Sequence, residues 1–402
     1  MDLVKLLIIF AVLLIALMLF KKPLWIAAVF ANLTALIVYW IPPLRAGKLV
    51  FEALISSSTI EILAVMYLVS FLQVMMQAKG AIDSAEKAMV RLFNSHRSII
   101  VLSPIFMGLL PAPNAVLLSA PIVDSAAGDS LSKGEKTFLT SYYRHIPESA
   151  LPLYPGLLVA LGVTGLSPAL FMLGVIPLAA ISIIFPYFTT VRKVPKAAGL
   201  TPSENKKKDL SDLLLALWPI ILLIVIVLFC GFSTSLVTLA VCTVLYIFYR
   251  FPVRRLWKML GESFHFPIMV GMAFILILKD IIASTDVILT LPERFSALPI
   301  PLYMVYALVI FVGGLTGLSN VIMAVMFPVV FSTIPGAGIP LLLLLMGFSH
   351  SAAQISPTHI CLEVAVGYFK SDYKTLVLKT LPVTIVYCVS AVLYYLILTA
   401  IF

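Results

Sequence analysis

The sequence has 402 residues, of which 62% are apolar and 11% charged, against roughly 45–50% and about 25% in ordinary soluble domains. A soluble fold would leave much of that apolar surface facing water, so the composition excludes one and points to a lipid bilayer as the surroundings. The formal net charge of +9 does not mark a nucleic-acid partner, because Lys and Arg fall in short loops between apolar runs, the pattern of the positive-inside bias.

Runs able to cross a hydrocarbon layer about 30 Å thick are predicted first at 3–20, 24–41 and 59–78. The first ends in Phe20-Lys21-Lys22, without a small-residue cleavage site, and reads as a retained span rather than a secretory signal. A broken apolar stretch follows at 98–127, a Pro-interrupted one at 137–164 and a span at 168–190. Residues 191–210, which carry Lys206-Lys207-Lys208, form a polar linker. The second half, 211–402, repeats the order of the first, 1–190. Its spans lie near 211–230, 233–250 and 264–281, its broken stretch at 300–333, its interrupted stretch at 338–369 and its last span at 374–401. Segments 45–57, 82–95, 252–263 and 284–297 mix charged with apolar residues and are expected at the interface.

A shift of 206 positions lays Gly108 on Gly314, Asn114 on Asn320, Arg144 on His350 and Glu148 on Gln354. If 98–127 and 300–333 are hairpins that enter and leave on one side, each half has five crossings and the halves are inverted. Twenty-one Lys and Arg then collect on one side, five on the other, and Arg144 stays inside. That places the linker in the cytoplasm and both termini outside a cell membrane, the inner one in a two-membrane cell. The expected fold is an all-α polytopic membrane protein of two inverted-topology repeats, with about ten crossing helices and two re-entrant hairpins.

Non-helical backbone at membrane depth is tolerated where it is buried in protein or lines a cavity, so the four predicted breaks are the candidate site. The first hairpin, from the cytoplasmic side, is expected to turn after Gly108 at Pro111-Ala112-Pro113-Asn114, with Asn114 capping the returning helix. The second, from outside, is expected to turn at Gly313, Gly314 and Gly317, with Ser319 or Asn320 as the cap. His145-Ile146-Pro147-Glu148 places Pro at a helix start, and Ser356-Pro357-Thr358 reads as an N-cap followed by Pro at the first helical position. Four converging helix starts would offer unpaired N–H groups to an anion, and freed carbonyls would suit Na⁺ near Asn114 and Asn320.

Arg144 and Glu148, four apart in apolar surroundings, have two readings: a functional pair, or an internal ion pair that orients the break. His350 and Gln354 stand at the matching place in the second half. His359 and Glu363 share a helical face and fit either a proton relay or a structural bond, whereas Asp124 is expected to be solvated and His96 and His265 have no assigned role. Cys230, Cys242, Cys361 and Cys388 lack metal-ligand spacing and are expected to be small buried residues. No Walker A loop, Gly-x-Ser-x-Gly or His-Glu-x-x-His occurs, so neither an ATP-driven pump nor an enzyme is expected, and no cofactor.

The paired hairpins, the interrupted helices and the tips Pro113-Asn114-Ala115 and Ser319-Asn320-Val321 resemble the ion-transporter superfamily, which includes divalent-anion/sodium symporters and citrate, gluconate and C4-dicarboxylate permeases. Within it, the sequence is similar to an uncharacterised prokaryotic integral membrane protein family. That superfamily carries Ser-Asn-Thr at its tips; here Asn is kept in the first and Ser-Asn in the second. The resemblance implies a homodimer and an elevator-type secondary transporter of small organic anions driven by Na⁺ or H⁺. The residues themselves also leave room for a Na⁺/H⁺-type cation antiporter on the same fold, and for a non-transporting membrane enzyme or scaffold.

Overall fold

A computed structural model describes residues 2–16, 20, 23–109, 115–196, 203–285, 295, 297–316, 319–334, 336–357 and 359–401. The helices run α1 (Asp2–Leu14), α2 (Leu24–Val38), α3 (Pro43–Ile55), α4 (Ser57–Ala78), α5 (Ala81–Phe93), α6 (His96–Met107), α7 (Ala115–Ala127), α8 (Lys133–Arg144), α9 (Ile146–Ala150), α10 (Pro155–Thr164) and α11 (Pro168–Thr189). They continue as α12 (Lys206–Cys230), α13 (Thr234–Phe248), α14 (Val253–Ser263), α15 (Phe266–Ala283), α16 (Leu302–Leu315), α17 (Ser319–Thr333), α18 (Ile339–Ala353), α19 (Ile360–Phe369) and α20 (Tyr373–Ile401). No strand occurs among the described residues.

Local chemistry sets many of these bounds. Ser56, Ser167 and Ser233 cap α4, α11 and α13 by accepting from the N–H three residues on. Ser132 and Glu135 close a reciprocal capping box on α8. Gly165 (φ +67°) and Gly231 (φ +65°) end α10 and α12 in the left-handed region, where a side chain is disfavoured.

The ends of α2 and α13 are built alike. Trp40 N–H bonds Ile37 O and Ile41 N–H bonds Leu36 O; Arg250 N–H bonds Ile247 O and Phe251 N–H bonds Tyr246 O. Trp40 and Arg250 both take positive φ, 54° and 48°, so each helix closes in a Schellman motif. Proline then N-caps the next helix in both places, Pro42 for α3 and Pro252 for α14.

Six helical stretches among the described residues are long and apolar enough to cross a membrane: Ser57–Ala78, Lys133–Thr164, Pro168–Lys193, Lys206–Cys230, Phe266–Ala283 and Tyr373–Ile401. Their surroundings agree. Trp40, Leu44 and Phe229 are more than 80% exposed, with many other large apolar side chains outward, a surface suited to lipid rather than water.

The two halves pack crosswise. α2 lies on α15, α4 on α13 and α5 on α12, while α8 packs on α19 and α20, and α11 on α18. α6 pairs with α7 and α16 with α17. At 12 to 15 residues, these four helices are each about 18–22 Å long at 1.5 Å per residue, short of a full crossing. α10 packs on α4 and α17, and α15 on α17, which joins the paired short helices to the longer ones.

Candidate functional site

The helix breaks converge on one cleft of about 430 Å³, within the 300–1,000 Å³ typical of small-molecule sites. Its polar lining includes Arg144, His145, Glu148, Ser319, Asn320, His350, Ser356 and His359. Three helix starts open on it: Pro155-Gly156-Leu157 of α10, Ser319-Asn320 of α17, and His359-Ile360-Cys361 at the head of α19. α7 begins close by, since its Val116 packs with Cys361 and Ala365 of α19. Helix starts present unsatisfied N–H groups and partial positive charge.

Arg144, only 3% exposed, ends α8 and donates from Nη1 to Glu148 Oε2 at 2.9 Å. The Glu148 side chain keeps 31% of its surface exposed, so this pair is buried at the arginine end and open at the carboxylate end. Backbone packing fixes the guanidinium's base. Gly108 ends α6 flush against α8, where an added Cβ would fall 2.0 Å from Arg144 O. The Tyr154 hydroxyl donates to Gly108 O, and its ring centroid stands 6.0 Å from the Arg144 guanidinium carbon. Gly156 plays a similar part for α17, with Asn320 Oδ1 3.2 Å from where its Cβ would stand.

The cleft gathers Arg144, Glu148, Gly314, Ser319, Asn320, His350 and Ser356 from the expected set. Asn114, Pro111, Pro113, Gly317 and Thr358 lie outside the described residues. Other expectations are corrected. Gly313 and Gly314 are helical, not turn residues. Their missing side chains admit Ile322 of α17 and Ala352 of α18, whose atoms would lie 1.8 and 2.6 Å from added Cβ atoms. Gly108 likewise serves close packing, with φ −72°.

The N-cap position of the following helix is His359, not Ser356. The Ser356 hydroxyl donates to Leu315 O at 2.9 Å, satisfying a carbonyl freed at the end of α16, and α19 starts only at Ile360 after His359. Pro147 opens just the five-residue α9; the longer helix after this break starts at Pro155. Ser319 and Asn320 both lie within α17, and the two residues before them, 317 and 318, fall outside the described residues. Gln354 stays out of the cleft, 2% exposed, with its Nε2 3.2 Å from His350 Nε2 and 3.4 Å from Tyr142 O.

Glu363 is exposed and does not line the cleft, so it does not extend His359 into a relay there. Asp124 is half exposed but ion-paired, 2.6 Å from Lys136 Nζ. Cys230 is exposed rather than buried. The residues that sequence reasoning passed over are His145, Ser149, Tyr154 and Cys361. Tyr154-Pro155 carried a local signal, a Pro at a helix start, that went to Pro147 instead. Glu61, an acid within α4, anchors the start of α13 by accepting from Ser235 N at 3.0 Å and from the Ser235 hydroxyl.

Fold and site together define a class: a helical protein of membrane type, with a polar, charged cleft set among broken helices. The chain belongs to the family described as Protein of unknown function (DUF401), which it matches over residues 2–401. Comparison with curated proteins gives no match.

Proposed function

We propose that the chain is a secondary transporter of small organic anions, carboxylates in class, coupled to Na⁺ or H⁺ across a cell membrane. The observation that carries this reading is the meeting of three helix starts with a buried guanidinium in one cleft of small-molecule size. A carboxylate there would take N–H groups from Ser319-Asn320 and Ile360-Cys361 and charge from Arg144. A second, larger cavity of about 730 Å³, lined by Gln73, Gln77, Arg255, Lys258 and His265, shares Pro155 and Ile268 with the cleft. Glu262 lines it too, 3.7 Å from Lys258 Nζ, so Arg255 supplies the net positive charge beside the site.

An inverted repeat with re-entrant hairpins is part of the proposal, and paired details support it. The Schellman motifs of α2 and α13 recur at an offset of 210 positions, and the Gly108 and Gly314 contacts at 206. α15 is four residues shorter than α4, 18 against 22, which accounts for the change. Gly108 packs against Arg144, and Gly314 against Ser349 and Ala352, around the position equivalent to Arg144. In each half a hydroxyl beyond the break returns to the end of the first hairpin helix: Tyr154 to Gly108 O and Ser356 to Leu315 O.

The proposed sidedness has support from contacts as well. Residues assigned to the cytoplasm meet one another, as in Arg91–Asp209 (2.8 Å), Lys193–Glu135 (2.5 Å) and Arg255 Nη2 to Ala78 O (3.1 Å). Arg45, assigned outside, reaches Ser284 O at 3.3 Å. In this reading α1–α4 and α12–α15 form the scaffold of a homodimer, α5 is an arm joining scaffold to carrier, and the remaining helices move as the carrier.

The test is uptake into proteoliposomes across a carboxylate panel, with Na⁺ and H⁺ gradients imposed separately. Gradient-driven accumulation of at least one carboxylate is expected; absence of flux for every anion under both gradients would overturn the reading. Glu148, the one carboxylate lining the cleft among the described residues, favours cation/proton antiport as a second reading. Proton release reported by dye on adding Na⁺, abolished in Glu148→Gln, would select it.

A further inference from the structure

We infer that His145, His359 and Cys361 form a three-ligand site for a thiophilic divalent cation of the zinc class, with the fourth coordination position facing the cleft. One ligand atom from each of the three lies within 4.8 Å of the other two. All three line the cleft. His145 and Cys361 are buried, 2% and 5% exposed, while His359 is half-buried.

The second observation is the state of His145. Its Nδ1 is 2.5 Å from Ser141 O, and a carbonyl only accepts, so Nδ1 carries the hydrogen and Nε2 of the neutral ring bears a lone pair. That Nε2 is buried and makes no hydrogen bond. A buried acceptor with nothing to accept from is costly, and metal ligation would resolve it. A histidine whose far nitrogen donates to a backbone carbonyl is the usual outer support of a metal ligand, since the bond fixes both ring orientation and tautomer.

The His145 ring meets His359 edge-on at 4.6 Å between centroids. Donors on tetrahedral zinc stand about 3.3–3.8 Å apart, given bond lengths near 2.0 Å to nitrogen and 2.3 Å to sulfur. The triad must therefore close by about 1 Å, a movement within the reach of χ rotation at Cys361 and His359. Charge does not forbid the ion. Arg144 is already paired with Glu148, whose Oε2 also lies 3.9 Å from His145 Nε2, and thiolate formation at Cys361 removes one of the two added charges. Imidazole plus thiolate selects zinc-class cations over Na⁺, Mg²⁺ or Ca²⁺, which prefer oxygen.

The proposal does not rest on transport, and its test needs no flux. Full-length protein in detergent, stripped with a non-thiol chelator, is titrated with Co²⁺. One equivalent is expected to give the intense sulfur-to-cobalt charge-transfer band of a tetrahedral site, bleached by Zn²⁺. Cys361→Ser should abolish that band. His359→Ala should weaken cobalt binding by roughly tenfold to a hundredfold or more, since even outer-shell changes act on that scale. A variant with Cys230, Cys242 and Cys388 all changed to Ser should keep the band, and helical circular dichroism with a single gel-filtration peak verifies folding throughout. Folded wild-type protein without the band, or an unchanged band in Cys361→Ser, overturns the inference.

Discussion

An added Cβ on Gly108 would stand 2.0 Å from the carbonyl oxygen of Arg144. The obstacle is backbone and cannot rotate away, so Gly108→Ala forces α6 and α8 apart at the floor of the cleft. The expected cost is about 1–3 kcal/mol, the scale of overpacking, read as a lowered melting temperature in detergent. Gly47 in α3 has open space around its Cβ position, and Gly47→Ala should be neutral or stabilise by up to about 1 kcal/mol. Equal behaviour of the two variants would refute the packing account.

Arg144 and Glu148 are expected to act as one unit. Changing either to Gln leaves its partner charged at the edge of an apolar core, at a cost of about 1–3 kcal/mol, less for Arg144→Gln because the carboxylate it leaves behind is partly open. The double variant should cost less than the two singles summed. Thermal melts of the four proteins give the coupling, and strict additivity would show that the 2.9 Å contact contributes nothing.

On the anion-transport reading, Arg144→Lys should retain part of the uptake and Arg144→Gln should lose at least about tenfold, equivalent to roughly 1.4 kcal/mol of binding. Lysine keeps the charge without the planar fork. Full uptake by folded Arg144→Gln would remove the guanidinium from the site.

Gly156→Ala places a methyl 3.2 Å from Asn320 Oδ1 and 3.1 Å from Met323 Cε. Met323 is flexible and can give way, so stability should change by less than about 1 kcal/mol. On the transport reading, Asn320 is expected to shift, raising KM for the solute more than it lowers kcat. A variant with unaltered kinetics would place Asn320 outside the binding surface.

Sidedness is open to labelling. Lys207→Cys should react with a membrane-impermeant maleimide only from the cytoplasmic face, and Lys48→Cys only from outside. Reaction of both from one face would dismantle the charge-based topology.

Sequence alone determined the membrane class and the order of the apolar helices. Apolar run length, Pro and Gly act over a few neighbours, so Ser167-Pro168 or Gly165 announces a helix end without knowing what lies across from it. Interhelical contacts have no such local signature. Only the tertiary structure joined Ser356 to Leu315 O, and made Gly313 and Gly314 packing residues of α16 instead of a turn. It alone brought His145 of α8's end against His359 and Cys361 from the opposite half. Those outcomes depend on which helix faces which, and that is decided by side-chain interlocking between segments far apart in the chain, where periodicity is silent.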